Sequence, residues 1–232
     1  MKISKIIFLS LIGVIALFIF AGALDIRING VKRSLYYENM NKSKTAIPPF
    51  KVLRINSSNN ISVIQSDSSY IQVSFQKDSL PPTLNYTINE DTLIISDSYL
   101  GRRNAYLTLY ATTALNKFYL KNSNVTLNSF FGDKCPGNIL MDLDYSSVDI
   151  YPNKKNAISL TTIDIIERNE STFHGSNFKV DSLNISLQNS QADLSLNLGK
   201  ISGNISDKSR LYFHSACDIS IKRDASSKIG IY

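Results

Sequence analysis

The chain has 232 residues, 43% hydrophobic and 19% charged, with a formal charge of +6 and no tryptophan. That length holds one sizeable domain beyond an apolar N-terminus. The basic residues are scattered as pairs (Lys32-Arg33, Arg102-Arg103, Lys154-Lys155, Lys222-Arg223) with no aromatic-interleaved basic face, which argues against a nucleic-acid partner.

Residues 6–24, IIFLSLIGVIALFIFAGAL, carry no charge. About twenty apolar residues can span a bilayer as a helix that satisfies its own backbone. Residues 1–24 are therefore expected to be a transmembrane anchor or an uncleaved signal. Ala21-Gly22-Ala23 also offers a small-x-small cleavage site, so a removed signal stays open. The charges flanking the span are nearly balanced. The downstream β pattern favours a single-pass protein with its C-terminal domain outside the cytoplasm, in the periplasm. Residues 25–49 lack sustained periodicity and read as a juxtamembrane spacer ending in Pro48-Pro49.

From Phe50 onward, four- to six-residue alternation replaces any helical period: ISVIQ, YIQVSF, TLNYTI, DTLIIS, AYLTLY, NVTLNSF, DISIK. The fold class is all-β. Residues 50–116 are expected to form an N-terminal β-layer, and 117–232 the coils of a solenoid continuous with it.

The coil repeat is marked by Ser123, Ser146, Ser171, Ser190 and Ser209. Two and four places after them come Val125/Leu127, Val148/Ile150, Phe173/Gly175, Ala192/Leu194 and Leu211/Phe213. Five and three places before come Phe118/Leu120, Met141/Leu143, Ile166/Arg168, Ile185/Leu187 and a weaker Asn204/Ser206. These offsets have opposite parity, whereas a straight strand buries one parity only. Each serine is thus expected to mark a corner where the buried parity switches, with the serines laddered along one edge of a parallel β-solenoid. An antiparallel sandwich or meander is the competing all-β reading; it lacks Asn-Gly or Asp-Gly hairpin signals after Phe50.

The opening FKVLRINSSNNISVIQSDSSYIQVSF, the later DTLIIS and the serial strand–polar–strand coils resemble the auto-transporter adhesin, head GIN domain family, over roughly Phe50 to Tyr232. The resemblance implies a right-handed parallel β-helix-like fold, a bacterial cell-envelope location and an adhesive role. It brings no catalytic residues.

Candidate chemistry sits on outward positions. Asp142 and Asp144 flank Leu143, and Asp164 lies on the next coil. Polysaccharide-active β-helices pair such acids as general acid and base, but aspartate beside alternating apolar residues also simply keeps a strand soluble. Tyr119 and Tyr145, within a cluster that includes Tyr99, Tyr106 and Tyr110, could stack on sugars or anchor a protein. His174 and His214 read as outward surface residues. Cys135 and Cys217 are placed coils apart, beyond disulfide reach, as two free thiols. No metal or cofactor is expected.

The leading expectation is a non-enzymatic, membrane-anchored, adhesin-like or scaffolding domain. Its candidate surface is Asp142, Asp144, Asp164, Tyr119 and Tyr145, and its partner a cell-surface glycan or envelope protein. The alternatives are a polysaccharide-active enzyme on the same acids, or an accessory subunit of an envelope complex.

Overall fold

Alternation builds the strands, and corner residues decide how they stack. The computed structural model describes residues 12–21, 40–57, 60–77, 79–80, 82–96, 105–112, 115–128, 137–151, 159–214 and 217–231. The chain divides into two compact units, Met1–Met40 and Asn41–Tyr232. In the first, residues 12–21 form a helix with exposed side chains. Among the described residues no helix is long and apolar enough to cross a membrane; the rest of the expected 6–24 span lies outside them.

The second unit is all-β and consists mainly of two ladders of parallel strands. One runs β6 (Thr92–Ser96), β2 (Val52–Asn56), β8 (Lys117–Lys121), β10 (Asn138–Asp144), β12 (Ser159–Arg168), then the second halves of β13 (Thr172–Gln188) and β14 (Gln191–Ser206), then β16 (Asp218–Arg223). The other runs β7 (Tyr106–Ala111), β3 (Asn60–Gln65), β9 (Asn124–Asn128), β11 (Ser147–Tyr151), the first halves of β13 and β14, β15 (Arg210–Phe213) and β17 (Lys228–Ile231). At one end β5 (Tyr86–Asn89) lies antiparallel on β6, and β4 (Tyr70–Gln76) antiparallel on β7.

Two features depart from the reading of the sequence. The β2–β3 pair lies between β6–β7 and β8–β9, so stacking does not follow chain order at this end. Within the expected spacer, Met40–Ala46 forms β1 beside β4. Its residues after Met40 are exposed, so it is held by backbone pairing and no apolar period betrays it.

The corners explain the parity pattern. Asn122, Tyr145 and Asn189, each just before a marker serine, hold left-handed φ of 51°, 49° and 49°. One left-handed residue leaves the pleat, and burial passes from Leu120 to Ser123, from Leu143 to Ser146 and from Leu187 to Ser190. At Ser171 and Ser209 two consecutive residues are left-handed: Asn169-Glu170 and Asp207-Lys208. Two such residues restore the parity, so burial stays on odd positions through Ile163, Ile165, Glu167, Ser171 and Phe173. The expectation that Ile166 and Arg168 face inward is therefore corrected to Ile165 and Glu167. The weak Asn204/Ser206 pair is likewise replaced by Gly203 and Ile205. Asparagine and aspartate suit the left-handed region better than bulkier side chains.

The five serines are stacked in register and turned inward, all buried. Each serine carbonyl accepts the N–H of the residue after the next serine, from Ser147 onto Ser123 (2.9 Å) through to Lys228 onto Ser209 (2.9 Å). The hydroxyls add cross-links: the N–H of Ser123 donates to Ser146 Oγ (3.2 Å), Ser146 N–H to Ser171 Oγ (3.1 Å), and Ser190 N–H to Ser209 Oγ (3.2 Å). At the two-residue corners the serine N–H instead turns back onto Arg168 O (3.3 Å) or Ser206 O (3.2 Å). Buried backbone polar groups are thus paired through the bend, as a dry interior requires.

Inside, aliphatic and aromatic side chains stack in rows. One row reads Ile55, Leu120, Leu143, Glu167, Leu187, Ile205. Glu167 is fully buried there, and neither carboxyl oxygen has a hydrogen-bond partner among the described residues. Desolvation by burial pushes its pKa well above the ordinary 4.5 and so favours its protonated form. Gly203, at φ 138°, is required by close approach: a Cβ there would lie 1.8 Å from the Ile185 carbonyl oxygen. Cys217 is a free thiol, its pKa raised by partial burial and by Asp218; Cys135 lies outside the described residues.

Two outcomes are expected from these contacts. Ser146→Ala, which strips the acceptor from a buried N–H, should cost about 1–3 kcal/mol in denaturant unfolding, whereas Ser123→Ala, which removes a buried hydroxyl lacking a partner, should be neutral or stabilising. Glu167 binds its proton more tightly folded than unfolded, so its contribution to stability is fully present below 4.5 and is lost as pH rises above that value. Glu167→Leu should remove that slope from melting curves taken across pH and stabilise the protein by about 1–3 kcal/mol at pH 7.

Candidate functional site

On the outer face of the β2–β8–β10–β12 ladder, close to the corner, an open groove of about 330 Å³ is lined by Arg54, Tyr119, Lys121, Asp142, Asp144 and Arg168. Strand register builds it. Arg54, Tyr119 and Asp142 are direct neighbours on β2, β8 and β10. Two residues further along, Lys121, Asp144 and Arg168 are neighbours on β8, β10 and β12. All six alternate with buried residues and so share the outward face.

The groove is a network of opposite charges. Arg168 reaches diagonally to pair with Asp142 through a short Nη2–Oδ1 contact. Lys121 Nζ lies 4.0 Å from Asp144, whose other oxygen accepts the Asn169 side-chain amide at 2.7 Å. The Arg54 guanidinium sits over the Tyr119 ring, 5.3 Å from its centroid. Three cations therefore face two carboxylates.

Of the residues singled out from the sequence, Tyr119, Asp142 and Asp144 come together here. Asp164 stands off the groove: it neighbours Leu140 in register and accepts the Asn184 amide at 2.7 Å, with Ser202 continuing the chain onto Asn184 at 2.7 Å. Tyr145 is the left-handed corner residue next to Asp144, with its side chain exposed. A bulky side chain in that conformation is strained by about 1 kcal/mol, which an asparagine would largely relieve. Tyr110 stacks on Tyr70 (4.1 Å between centroids) at the antiparallel end, where burial and the neighbouring ring raise its pKa. Tyr99 lies outside the described residues. His174 lies on the outer face of the other ladder between Asp149 and Asp193 in register, and His214 is exposed beside Ser195 (3.3 Å). Among the described residues no His/Cys/Asp/Glu group has a metal-binding arrangement.

Sequence reasoning missed the three cations. Lys121 and Arg168 lie on strands it had placed, and correct corner counting would have turned Arg168 outward. Arg54 carried no signal, because β2 reaches β8 only through stacking out of chain order.

The arrangement does not assemble an acid–base pair. Asp142 and Asp144 are engaged by Arg168, Lys121 and Asn169, and Glu167, whose pKa burial raises, is sealed in the interior. What the groove offers is a surface of alternating donors, acceptors and one aromatic ring.

No known family matches the chain, and no curated protein does. The chain is similar to solved structures at low identity. One is a candidate adhesin from Parabacteroides merdae ATCC 43184: 10% identity, 84% of this chain and 96% of that one covered, TM-score 0.47. A second is a candidate adhesin from Bacteroides fragilis NCTC 9343: 13% identity, coverage 85% and 99%, TM-score 0.46. A third is a candidate lipid-binding protein from Parabacteroides distasonis ATCC 8503: 12% identity, coverage 84% and 97%, TM-score 0.38. Likeness at this level carries no argument about activity.

Tyr145→Asn is expected to raise the unfolding free energy by about 1 kcal/mol in denaturant titrations. Arg168→Ala should cost no more than about 1 kcal/mol, since the pair it breaks is partly solvated.

Proposed function

We propose that this chain is a non-enzymatic, adhesin-like binding domain of a bacterial cell envelope. In this reading residues 50–232 form one right-handed parallel β-helix-type solenoid with its coils in 117–232. Residues 6–24 tether it to the membrane, and residues 25–49 link tether to domain, with β1 docked on the domain's edge. The domain faces the periplasm. The parallel ladders and the serine-lined corners support the solenoid; the sequence resemblance supplies the adhesive role.

The observation that carries the binding role is the groove. Its aromatic ring and cations stand on rigid strands, and its two carboxylates are tied up by cations and an amide. Tyr119 and Arg54 would meet a cell-surface glycan, with Arg54 and Lys121 engaging its acidic substituents. The polysaccharide-cleaving alternative has less support, since Asp142 and Asp144 are engaged by Arg168, Lys121 and Asn169, and Asp164 by Asn184.

Screening the full chain in detergent on an array of acidic and neutral glycans should give retention without turnover. Tyr119→Ala and Arg54→Ala should each weaken retention at least tenfold with unchanged melting. Cleavage of a bound glycan that is abolished by Asp142→Asn would replace this reading with the enzymatic one.

A further inference from the structure

The two ends of the ladders are built differently. At one end the parallel order stops on antiparallel strands, β5 on β6 and β4 on β7, with the lysine-bearing β1 beside β4. A short edge strand, as β5 is, and edge lysines, as Lys42 and Lys44 of β1 are, are devices by which sheets blunt an edge. At the other end β16 and β17 are the last strands of their ladders among the described residues. Among the described residues no strand lies beyond their outer backbone edges, and the interior row is exposed there. Ile219 is 48% exposed while its register neighbour Ile201 is fully buried; Ile231 is 65% exposed above a fully buried Phe213.

This end is ordered by specific contacts. The Asp224 carboxylate accepts the N–H groups of Asp207 (2.8 Å), Ser226 (3.1 Å) and Ser227 (2.9 Å), pinning the last corner to the one beneath. Hydrogen bonds from Ser227, from the Asp207 N–H and from the Ser226 hydroxyl hold its pKa down at about 2. Gly230 lies under the Tyr212 ring, in the space where a Cβ would come within 2.6 Å of Cδ1, so the ring shields the outer face of β17.

The sequence of the open edge is self-complementary. β16 reads Asp218-Ile219-Ser220-Ile221-Lys222, with Ile219 and Ile221 on the interior side and Asp218, Ser220 and Lys222 outside. Set antiparallel against itself about Ser220, it opposes Asp218 to Lys222, Ile219 to Ile221 and Ser220 to Ser220. Moving the axis to Ile221 would oppose Arg223 to Ile219. β17 repeats the symmetry in miniature, Ile229-Gly230-Ile231. Opposite charges directly across an antiparallel pair are favourable and like charges unfavourable, so the charges that would guard this edge against other strands match a second copy of it.

We propose that the β16–β17 end is a homodimer interface, in which two copies of this chain join end to end about a two-fold axis through Ser220. β16 pairs antiparallel with β16 of the second copy, continuing the sheet and closing the exposed isoleucine row of both molecules. The interface is isologous, so it closes at two copies. The antiparallel strands at the far ends stop further growth.

The test uses the full chain in detergent, with Cys135→Ser and Cys217→Ser as background. Residues directly opposed in such a pair have Cβ atoms about 4.5–5.5 Å apart. Ser220→Cys should therefore give a disulfide-linked dimer on mild oxidation, while Ser202→Cys, one strand inward in the same column, should stay monomeric on non-reducing gels. In sedimentation equilibrium, Asp218→Lys and Lys222→Asp should each weaken self-association roughly tenfold or more, each variant opposing like charges twice. The double variant, which swaps the charges, should restore it. Absence of the Ser220→Cys cross-link would overturn the proposal, as would a double variant no tighter than the singles. Dimerisation indifferent to all three charge variants would do so as well.

Discussion

Everything in this structure turns on how many residues at each corner adopt the left-handed conformation. One such residue takes the chain out of the pleat and hands burial to the other parity; two return it to the parity it had. The serine after the corner then occupies the interior edge. Its carbonyl receives the next layer's N–H, and the hydroxyls of Ser146, Ser171, Ser190 and Ser209 serve neighbouring backbone, so a sharp bend can sit inside a dry stack without stranding peptide groups.

The two-residue corner at Asn169-Glu170 shows how far this reaches. Because it preserves parity, the strand before it must present Ile165 and Glu167 to the interior and send Ile166 and Arg168 outward. The same bend therefore places an acid in an aliphatic row and a guanidinium against Asp142. Interior and groove are coupled through it: shortening the corner by one residue would bury Arg168 and expose Glu167, dismantling both. Burial of an unpartnered carboxyl is costly, and it is tolerated because the rows above and below are well packed.

The outer face and the ends carry the functional potential. The faces are studded with side chains whose partners lie on adjacent strands, eighteen or more residues away in the chain, so the outer surface is built across layers and not within a single loop. The ends are unequal. One is terminated by reversed strands, while the other offers a patterned edge whose charges and isoleucines repeat under two-fold rotation. Parallel ladders with one blunted end and one self-matching edge suit a pairing that occurs once and stops.

By itself the sequence determined the all-β character, the strand segments from Phe50 onward, the marker serines and the inward residues of strands flanking single-residue corners. These follow from alternation and short polar bends, which are local and readable. It also placed Tyr119, Asp142 and Asp144 outward, since parity within one strand needs no partner. Tertiary structure alone decided the rest. Left-handed pairs at Glu170 and Lys208 look like any polar turn until φ is known. β1 buries almost no side chain and docks by backbone pairing, with Lys44 over the Tyr70 ring and the Asn41 amide on the Lys77 carbonyl, and Arg54 reaches the groove because β2 stacks out of chain order. Each of these depends on contacts between segments far apart in the chain, and no periodicity within a strand encodes which distant strand will lie beside it.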